Sequence, residues 1–295
     1  RPYSSSDAST RPAPNALTLG PPMTDRISFQ GEPGANSHIA AREAYPAFEP
    51  MPCPSFEDAF AAVAEGQARY AMIPVENSVA GRVADVHYLI PESGLYIVGE
   101  RFVPIKHQLL GLKGAALEGL THVRSHPQAL GQCRKALRAL GVTAVKTADT
   151  AGAAREIAEL GDPRVGALAS ALAAEIYGLK VLKADIADAP HNTTRFLVFS
   201  RDEQNAAPDS GPCMTSFVFR VRNVPAALYK ALGGTATNGV NMTKLESYIE
   251  GGAFAAAMFF AEIEGHPSET KVRLALEELA FFSTSLKILG VYPAD

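Results

Sequence analysis

The sequence has few cysteines, no excess of basic residues and no long apolar run, and each absence excludes a class of protein. Its 295 residues include only Cys53, Cys133 and Cys213, which form no Cys-x-x-Cys pair, as is typical of a reduced cytosolic protein. The formal net charge of -4 argues against a general nucleic-acid binder. No apolar stretch is long enough for a membrane span, and the first 25 residues lack the apolar centre of a secretory signal. We therefore expect a cytoplasmic protein that binds neither nucleic acid nor membrane.

A metal site is also not expected. His122 and His126 are four residues apart, but Ser125 and Pro127 indicate a turn from strand to helix between them. The two imidazoles should therefore not share a helix face, and no other spacing fits a set of metal ligands.

Short apolar strands alternate with helical stretches from residue 26 onward. Strand-like residues 27–29 and 70–73 surround helical segments at 37–44 and 55–65, and this βαβ order predicts a mostly parallel sheet. A second series of strands and helices, including a helix predicted over 128–140, follows Pro104. We predict two α/β lobes with a ligand crevice between them. The expected lobes cover about 26–104 with 191–200, and about 105–190.

The two ends of the chain differ from this pattern. Residues 1–25 are rich in Ser and Pro, do not start with Met and are expected to be a disordered tail. Residues 201–214 have no apolar period and contain two prolines, so they are interpreted as a linker. Residues 215–295 show the βαββαβ order of a ferredoxin-like domain. We expect the edge or the helix-free face of its small sheet to pair with another subunit.

Residues 191–196, His-Asn-Thr-Thr-Arg-Phe, are the most informative segment for function because they lead into an apolar strand. The Thr194 hydroxyl can donate one hydrogen bond, and the Arg195 guanidinium suits a carboxylate or a phosphate. An anionic substrate fits this pair. Local chemistry by itself favours the simpler alternative, an Arg that snorkels at a strand end beside a Thr chosen for its β-propensity.

Four motifs occur in an order that resembles the prephenate dehydratase family, and the resemblance runs from residue 26 to the C-terminus. They are Phe-Gln-Gly-Glu-Pro-Gly-Ala-Asn-Ser at 29–37, Pro-Val-Glu-Asn-Ser at 74–78, Ser-His-Pro-Gln-Ala-Leu at 125–130 and Thr-Arg-Phe at 194–196. The resemblance implies a two-lobed catalytic region at 26–200 with the type 2 periplasmic-binding-protein-like fold. It also implies a C-terminal ACT regulatory domain of ferredoxin-like fold.

The resemblance implies a reaction that removes the ring carboxylate of prephenate as CO2 and its ring hydroxyl as water, without metal or organic cofactor. The product, phenylpyruvate, lies on the way to L-phenylalanine. The implied catalytic residues are Thr194, which polarises the leaving hydroxyl, Arg195, as anion binder or structural brace, and Glu76, as second proton donor or a merely paired carboxylate. The implied substrate-binding residues are Gly34, Asn36, Ser37, Asn77, Ser78, Ser125, Gln128, Thr193 and Phe196.

The ACT-like region implies L-phenylalanine as effector and a homodimer or homotetramer. Ala226 stands where the family pattern has glycine, and Tyr248-Ile249 stand where it has Arg-Pro. We therefore expect altered effector affinity. The implied effector-binding residues are Asn223, Val224, Pro225, Ala226, Ala227, Leu228, Gly239, Val240, Asn241, Leu245, Glu246 and Ser247.

Other interpretations remain open from the sequence. One alternative is arogenate as substrate in place of prephenate, with the same loss of CO2 and water. A non-catalytic sensor of amino acids or aromatic acids has the same layout of two lobes and a ligand-binding domain. Because only about 25 residues precede the first strand, we expect no fused chorismate mutase and a monofunctional enzyme.

Overall fold

In the computed structural model, which describes residues 25–222, 224–249 and 256–295, the first lobe is a mixed sheet with helices against it. Ser55 begins the second helix by accepting a hydrogen bond from the Asp58 N–H at 3.1 Å, as is typical of a serine at the N-cap. The elements in chain order are β1 (Arg26–Gln30), α1 (Asn36–Ala44), β2 (Glu49–Cys53), α2 (Phe56–Ala64), β3 (Tyr70–Asn77), β4 (Gly81–Arg82), α3 (Ala84–Leu89) and β5 (Tyr96–Pro104).

The second lobe is a five-stranded sheet with its own core. Its elements are β6 (Gln108–Gly111), a short 3-10 helix (Leu117–Gly119), β7 (His122–Ser125), α4 (Pro127–Gln132), α5 (Arg134–Ala139), β8 (Thr143–Lys146), α6 (Thr150–Leu160), β9 (Val165–Ala169), α7 (Ala171–Ile176) and β10 (Lys180–Lys183). The strand order is β10-β6-β9-β7-β8.

Strand β11 (Thr193–Ser200) returns to the first lobe, where it lies between β3 and β5 and is antiparallel to both. The order in that sheet is β2-β1-β3-β11-β5, with β4 paired to β3. Thr194 at the start of β11 therefore lies at the crossing between the lobes.

The C-terminal region is a four-stranded antiparallel sheet with the order β13-β14-β12-β15. Helices α8 and α9 pack on one face, where Phe217, Phe219 and Phe259 are buried with Val272 and Leu279. The predicted fold class, two α/β lobes and a βαββαβ domain, is confirmed. The mostly parallel sheet expected for the first lobe is wrong, because β11 and β4 pair antiparallel with their neighbours. The elements are β12 (Cys213–Arg220), α8 (Ala227–Thr237), β13 (Met242–Ile249), β14 (Ala256–Glu264), α9 (Thr270–Phe282) and β15 (Ser285–Pro293).

The helix-free face of the C-terminal sheet packs on the first lobe of the same chain. Phe260 and Leu289 share one hydrophobic core with Ile97 and Phe199. At Gly290 a Cβ would collide with the Ile97 carbonyl oxygen, so only glycine allows this approach. Our expectation that this face pairs with another subunit is therefore wrong, because the chain buries the apolar surface itself. The β13 edge of the sheet has no neighbouring strand among the described residues.

Candidate active site

A cleft of about 590 Å³ lies between the two lobes. The first lobe contributes the ends of β1 and β3 and the start of β11, and the second lobe contributes α4 and the segment before α6. Among the described residues, no lysine or arginine lines this cleft. An anionic ligand would therefore depend on hydrogen-bond donors and helix dipoles. The polar lining includes Asn36, Ser37, Asn77, Gln128, Gln132 and Thr194.

The Thr194 hydroxyl is held by the side-chain amide of Asn77. The Asn77 Nδ2 donates to Thr194 Oγ1 at 2.9 Å and to Asn192 Oδ1 at 2.7 Å. The Asn77 Oδ1 accepts the backbone N–H groups of Val79 and Ala80 at 3.0 and 2.9 Å, and this pattern decides which way the amide points. Because the Thr194 oxygen already accepts from Asn77, its proton is available for a ligand in the cleft.

A second row of amides continues this network into the other lobe. Asn192 Nδ2 donates to Gln132 Oε1 at 3.1 Å, and His107 Nε2 lies 2.7 Å from the same oxygen. Burial lowers the pKa of His107, against the hydrogen bond with Gln132, which favours the charged form. The neutral imidazole then donates from Nε2. Among the described residues, the Gln132 amide nitrogen has no hydrogen-bond partner. Gln132 lines the cleft, so this nitrogen is a spare donor there.

The start of α1 offers donors suited to a carboxylate. Gly31 and Gly34 have positive φ values of 113° and 94°, which let the chain turn sharply from β1 into the helix. Ala35 at the N-cap provides no side-chain acceptor, so the N–H groups of the first turn remain uncapped. Asn36 and Ser37 of this turn line the cleft, and a helix N-terminus attracts anions.

The profile of the prephenate dehydratase family matches residues 27–204. The chain belongs to the prephenate dehydratase family. A bifunctional N-acyl-homoserine lactone acylase/prephenate dehydratase of Komagataeibacter europaeus is 50% identical over 91% of this chain and 96% of its own length. A chloroplastic arogenate dehydratase/prephenate dehydratase of Arabidopsis thaliana is 39% identical over 92% of this chain and 72% of its own.

A solved structure of prephenate dehydratase from Arthrobacter aurescens in complex with L-Phe aligns with a TM-score of 0.84 and 29% identity, covering 91% of this chain and 90% of that one. The protein is thus an enzyme, a carbon-oxygen lyase of aromatic amino acid biosynthesis. The predicted family and enzyme class are confirmed, and the sensor interpretation is not needed.

Within this prephenate dehydratase fold, part of the predicted site lies together in the cleft. The structure brings six of the predicted residues to its lining: Asn36, Ser37, Asn77, Gln128, Thr194 and Phe196.

Four other predicted substrate-binding residues lie outside the cleft lining. Gly34 packs against α7, where a Cβ would lie 2.7 Å from the Ala173 Cα. The Ser125 hydroxyl is fully buried and donates to the Leu168 carbonyl at 2.7 Å. Ser78 and Thr193 bond to each other through their backbones and the Ser78 hydroxyl. These residues hold the scaffold that surrounds the cleft.

Two predicted catalytic residues point away from the cleft. We call the cleft side of β3 and β11, with Asn77 and Thr194, the front face, and the opposite side, with Glu76 and Arg195, the back face. Glu76 lies 3.3 Å from Lys244 of the C-terminal domain, so it is a paired carboxylate and not positioned to donate a proton to a ligand in the cleft. Arg195 donates to Glu100 and Glu262, which corresponds to the structural brace of our two alternatives and not to an anion binder.

The predicted effector residues lie at the start of α8, before β13 and along β13. Asn223 lies outside the described residues. Ala226 adopts a φ of 61°, the left-handed conformation that favours glycine. Leu245 and Ser247 are exposed, whereas Glu246 turns to the other side of the sheet and lies 3.0 Å from Arg82.

Three residues of this network were not among the predicted site residues: His107, Gln132 and Asn192. Asn192 lies two residues before Thr194, so strand periodicity alone puts both on one face. Gln132 follows the predicted Gln128 by four residues, which is one helical turn. His107 gave no such signal, because it meets Gln132 only through the folding of the second lobe, which brings together two residues 25 positions apart.

Proposed function

We propose that the protein converts prephenate to phenylpyruvate, with loss of CO2 and water, in L-phenylalanine biosynthesis. The observation that carries this proposal is the Thr194 hydroxyl, which lines the cleft and whose oxygen accepts from Asn77 at 2.9 Å, so that its proton remains available for a ligand. Donation into the oxygen makes the hydroxyl a better proton donor, since it stabilises negative charge there.

In the proposed reaction, the ring hydroxyl of prephenate leaves next to Thr194. The hydrogen bond from Thr194 strengthens as negative charge develops on the departing oxygen, and the ring carboxylate is lost as CO2 when the ring becomes aromatic. The uncapped first turn of α1 and the Gln132 amide would hold carboxylate oxygens. The test is the appearance of phenylpyruvate when the purified full chain is given prephenate. An absence of product would reject the proposal.

Arogenate is the alternative substrate. It carries an ammonium group in place of the keto group of prephenate, and the cleft lining includes the acidic Glu57, Asp85 and Asp149. Asp149 caps α6, whereas Asp85 is exposed and could bind an ammonium. A comparison of kcat/KM for prephenate and arogenate decides between the substrates. Asp85→Asn should lower kcat/KM for arogenate more than for prephenate if this carboxylate binds the ammonium.

We further propose feedback by L-phenylalanine bound to the C-terminal domain of a homodimer or homotetramer. The L-Phe complex of the Arthrobacter relative supports the effector. Support for assembly comes from exposed apolar side chains of this domain, with Val224 56%, Leu245 39% and Ile249 59% exposed. Sedimentation with and without L-phenylalanine tests the assembly, and inhibition kinetics test the effector.

A second candidate function is hydrolysis of N-acyl-homoserine lactones. The 50% identical relative carries this activity in its name. A second cavity of about 300 Å³, next to the cleft, is lined by Val79, Ala80 and Ala187 and shares Gln128 and Gln132 with it. An acyl chain would fit such an apolar lining. Release of homoserine lactone from an N-acyl substrate tests this function, and Thr194→Ala would show whether both activities use one cleft.

We propose the cytoplasm as location and a reaction without cofactor. The three cysteines are free and buried, which agrees with a reducing compartment. None of the described helices is long and apolar enough to cross a membrane. The described residues contain no cluster of His, Cys, Asp and Glu with the arrangement of a metal site, so dialysis against EDTA should leave turnover unchanged. Activity restored only by added metal would reject this part.

A further inference from the structure

At facing positions, strands β3 and β11 each carry a residue of the cleft lining next to a residue that contacts the C-terminal domain. In their antiparallel pairing Thr194 lies opposite Asn77, and Arg195 lies opposite Glu76. The register shifts directly after Arg195, and such bulges often occur beside active sites because they redirect side chains. The four residues thus form a block in which the front face and the back face are joined by the same short stretch of backbone.

The back face of this block is attached to the C-terminal domain through a buried ionic cluster. Arg195 Nε donates to Glu100 Oε2 at 2.7 Å, and its two other nitrogens bond to the Glu262 carboxylate. Tyr292 and Ser216 donate to the same carboxylate at 3.2 and 3.1 Å.

The Arg195 guanidinium is held in one position by this cluster. Glu262 and Tyr292 are 0% exposed, and Glu262 is held by three different side chains. Burial alone would lower the pKa of Arg195, but the charges of Glu262 and Glu100 raise it above its ordinary value, so the guanidinium stays charged. The position of Arg195, and of the backbone that carries it, is therefore set by a residue of another domain.

Thr194 is the next residue along this backbone. A catalytic hydroxyl must stay within about 0.5 Å of its productive position, and a displacement of about 1 Å can cost roughly 100-fold in rate. We propose that Glu262 of the C-terminal domain is a positioning residue for the reaction, which holds Thr194 in register with Asn77 through Arg195. The proposal rests on the proposed function, in which Thr194 acts on the substrate.

Through the same contact, a movement of the C-terminal domain would be transmitted to the cleft. Glu262 lies on β14, opposite Lys244 of β13, and Lys244 also pairs with Glu76 on the back face. The predicted effector segment around Leu245 lies on this same β13 strand. An effector that displaces β13 would therefore shift both attachments of the back face together.

The test compares Glu262→Gln with Arg82→Gln in the full chain. Glu262→Gln removes the charge but keeps the shape, and we expect kcat to fall about tenfold, less than for a full 1 Å displacement, with KM within about twofold. Inhibition by a given concentration of L-phenylalanine should weaken. Arg82→Gln breaks another contact between the domains, the 3.0 Å pair with Glu246. The Arg82 backbone lies opposite Glu76, but its half-exposed side chain bonds to neither Arg195 nor Thr194, so kcat should stay within about twofold of the wild type.

Amide hydrogen exchange of residues 193–197 provides a readout that does not depend on turnover. We expect faster exchange there in Glu262→Gln than in the wild type or Arg82→Gln. Wild-type kcat and wild-type exchange in Glu262→Gln would overturn the inference, and so would an equal loss of kcat in Arg82→Gln. If the wild type does not convert prephenate, the proposed function fails, and the exchange data still decide whether Glu262 holds β11.

Tyr292→Phe is the milder variant if Glu262→Gln does not fold. It removes only the hydroxyl, which bonds to Arg195 at 3.3 Å and to Glu262 at 3.2 Å. We expect a loss of about threefold in kcat, equivalent to one ordinary hydrogen bond, with unchanged KM and faster exchange at 193–197. Wild-type values for both quantities would contradict the role of the cluster.

Discussion

The front and back faces of β3 and β11 are built from neighbouring residues but use opposite chemistry. On the front face the side chains of Asn77 and Thr194 are short and neutral, and they bond to each other at 2.9 Å. On the back face Glu76 and Arg195 are charged, and they bond to Lys244 and Glu262 of another domain. A single motif thus serves the cleft and the attachment of the C-terminal domain.

The difference follows from what each face has to do. Neutral amides and hydroxyls can donate a hydrogen bond to a departing oxygen without adding negative charge that would repel it. A buried charge needs a partner of opposite sign, so it commits the chain to one domain arrangement. The front face is therefore suited to chemistry and the back face to assembly.

The largest expected effect is on the back face, from Arg195→Met. It leaves Glu100 and Glu262 buried without their cation, which should lower the free energy of unfolding by about 3–5 kcal/mol. Urea denaturation of the full chain measures this. The control is Arg101→Met, which breaks the half-exposed pair with Asp295 and should cost at most about 1 kcal/mol. Equal losses in the two variants would remove the distinction between the buried cluster and an ordinary surface pair.

On the front face, Thr194→Ala should lower kcat about 100-fold or more, with the fold and KM largely retained. Thr194→Ser keeps the hydroxyl and should retain much more activity. Thr193→Ala is the matched control, because Thr193 is adjacent in sequence but does not line the cleft. Steady-state kinetics with prephenate provide the test, and near wild-type kcat in Thr194→Ala would show that the front face does not carry the chemistry.

Acidification should affect both faces through buried imidazoles. Burial lowers the pKa of His107 near the front face below the ordinary 6.5, and burial followed by the charge of Lys244 does the same for His87 near the back face. The folded state therefore binds fewer protons than the unfolded state below pH 6.5. The contribution of each neutral imidazole to the free energy of unfolding is fully present above pH 6.5. It is lost as the pH falls toward the pKa of that imidazole in the folded state.

Each of these imidazoles contributes a slope of at most about 1.4 kcal/mol per pH unit. His87→Gln and His107→Gln should each flatten the pH dependence of the free energy of unfolding. Denaturation series between pH 7 and pH 5 measure the slopes. Slopes equal to the wild type in both variants would mean that neither face takes part in proton linkage.

The smallest expected effect comes from substitutions inside the C-terminal domain that do not touch its contact with the first lobe. Ala226 has a φ of 61°, so Ala226→Gly should raise the free energy of unfolding by about 1 kcal/mol. Ala236→Gly, the same exchange on an exposed helical position of α8, should lower it by about 1 kcal/mol. A destabilised Ala226→Gly would mean that this residue is not strained.

The sequence by itself determined most strands and helices and the two residues of the front face, Asn77 and Thr194. Short apolar runs predicted a strand at 70–73, which in the structure continues to Asn77, and the apolar strand that begins at Thr194. The order of the motifs predicted the family, and the alternation of strands with helices predicted two lobes with a crevice between them. These features are local, since hydrophobic periodicity and turn chemistry act over a few residues. The helix predicted over 128–140 shows the limit of this argument, because the chain divides into α4 and α5 at Cys133.

Only the tertiary structure decided what lies opposite each side chain. Periodicity puts Thr194 and Arg195 on opposite faces of β11, but it does not say that Arg195 meets Glu262, 67 residues further along the chain. Nor does it say that the helix-free face of the C-terminal sheet is buried by the first lobe, or that His107 reaches Gln132. A guanidinium suits a carboxylate of a substrate and a carboxylate of a neighbouring domain equally well. The choice between them depends on packing between distant segments, which no local pattern contains.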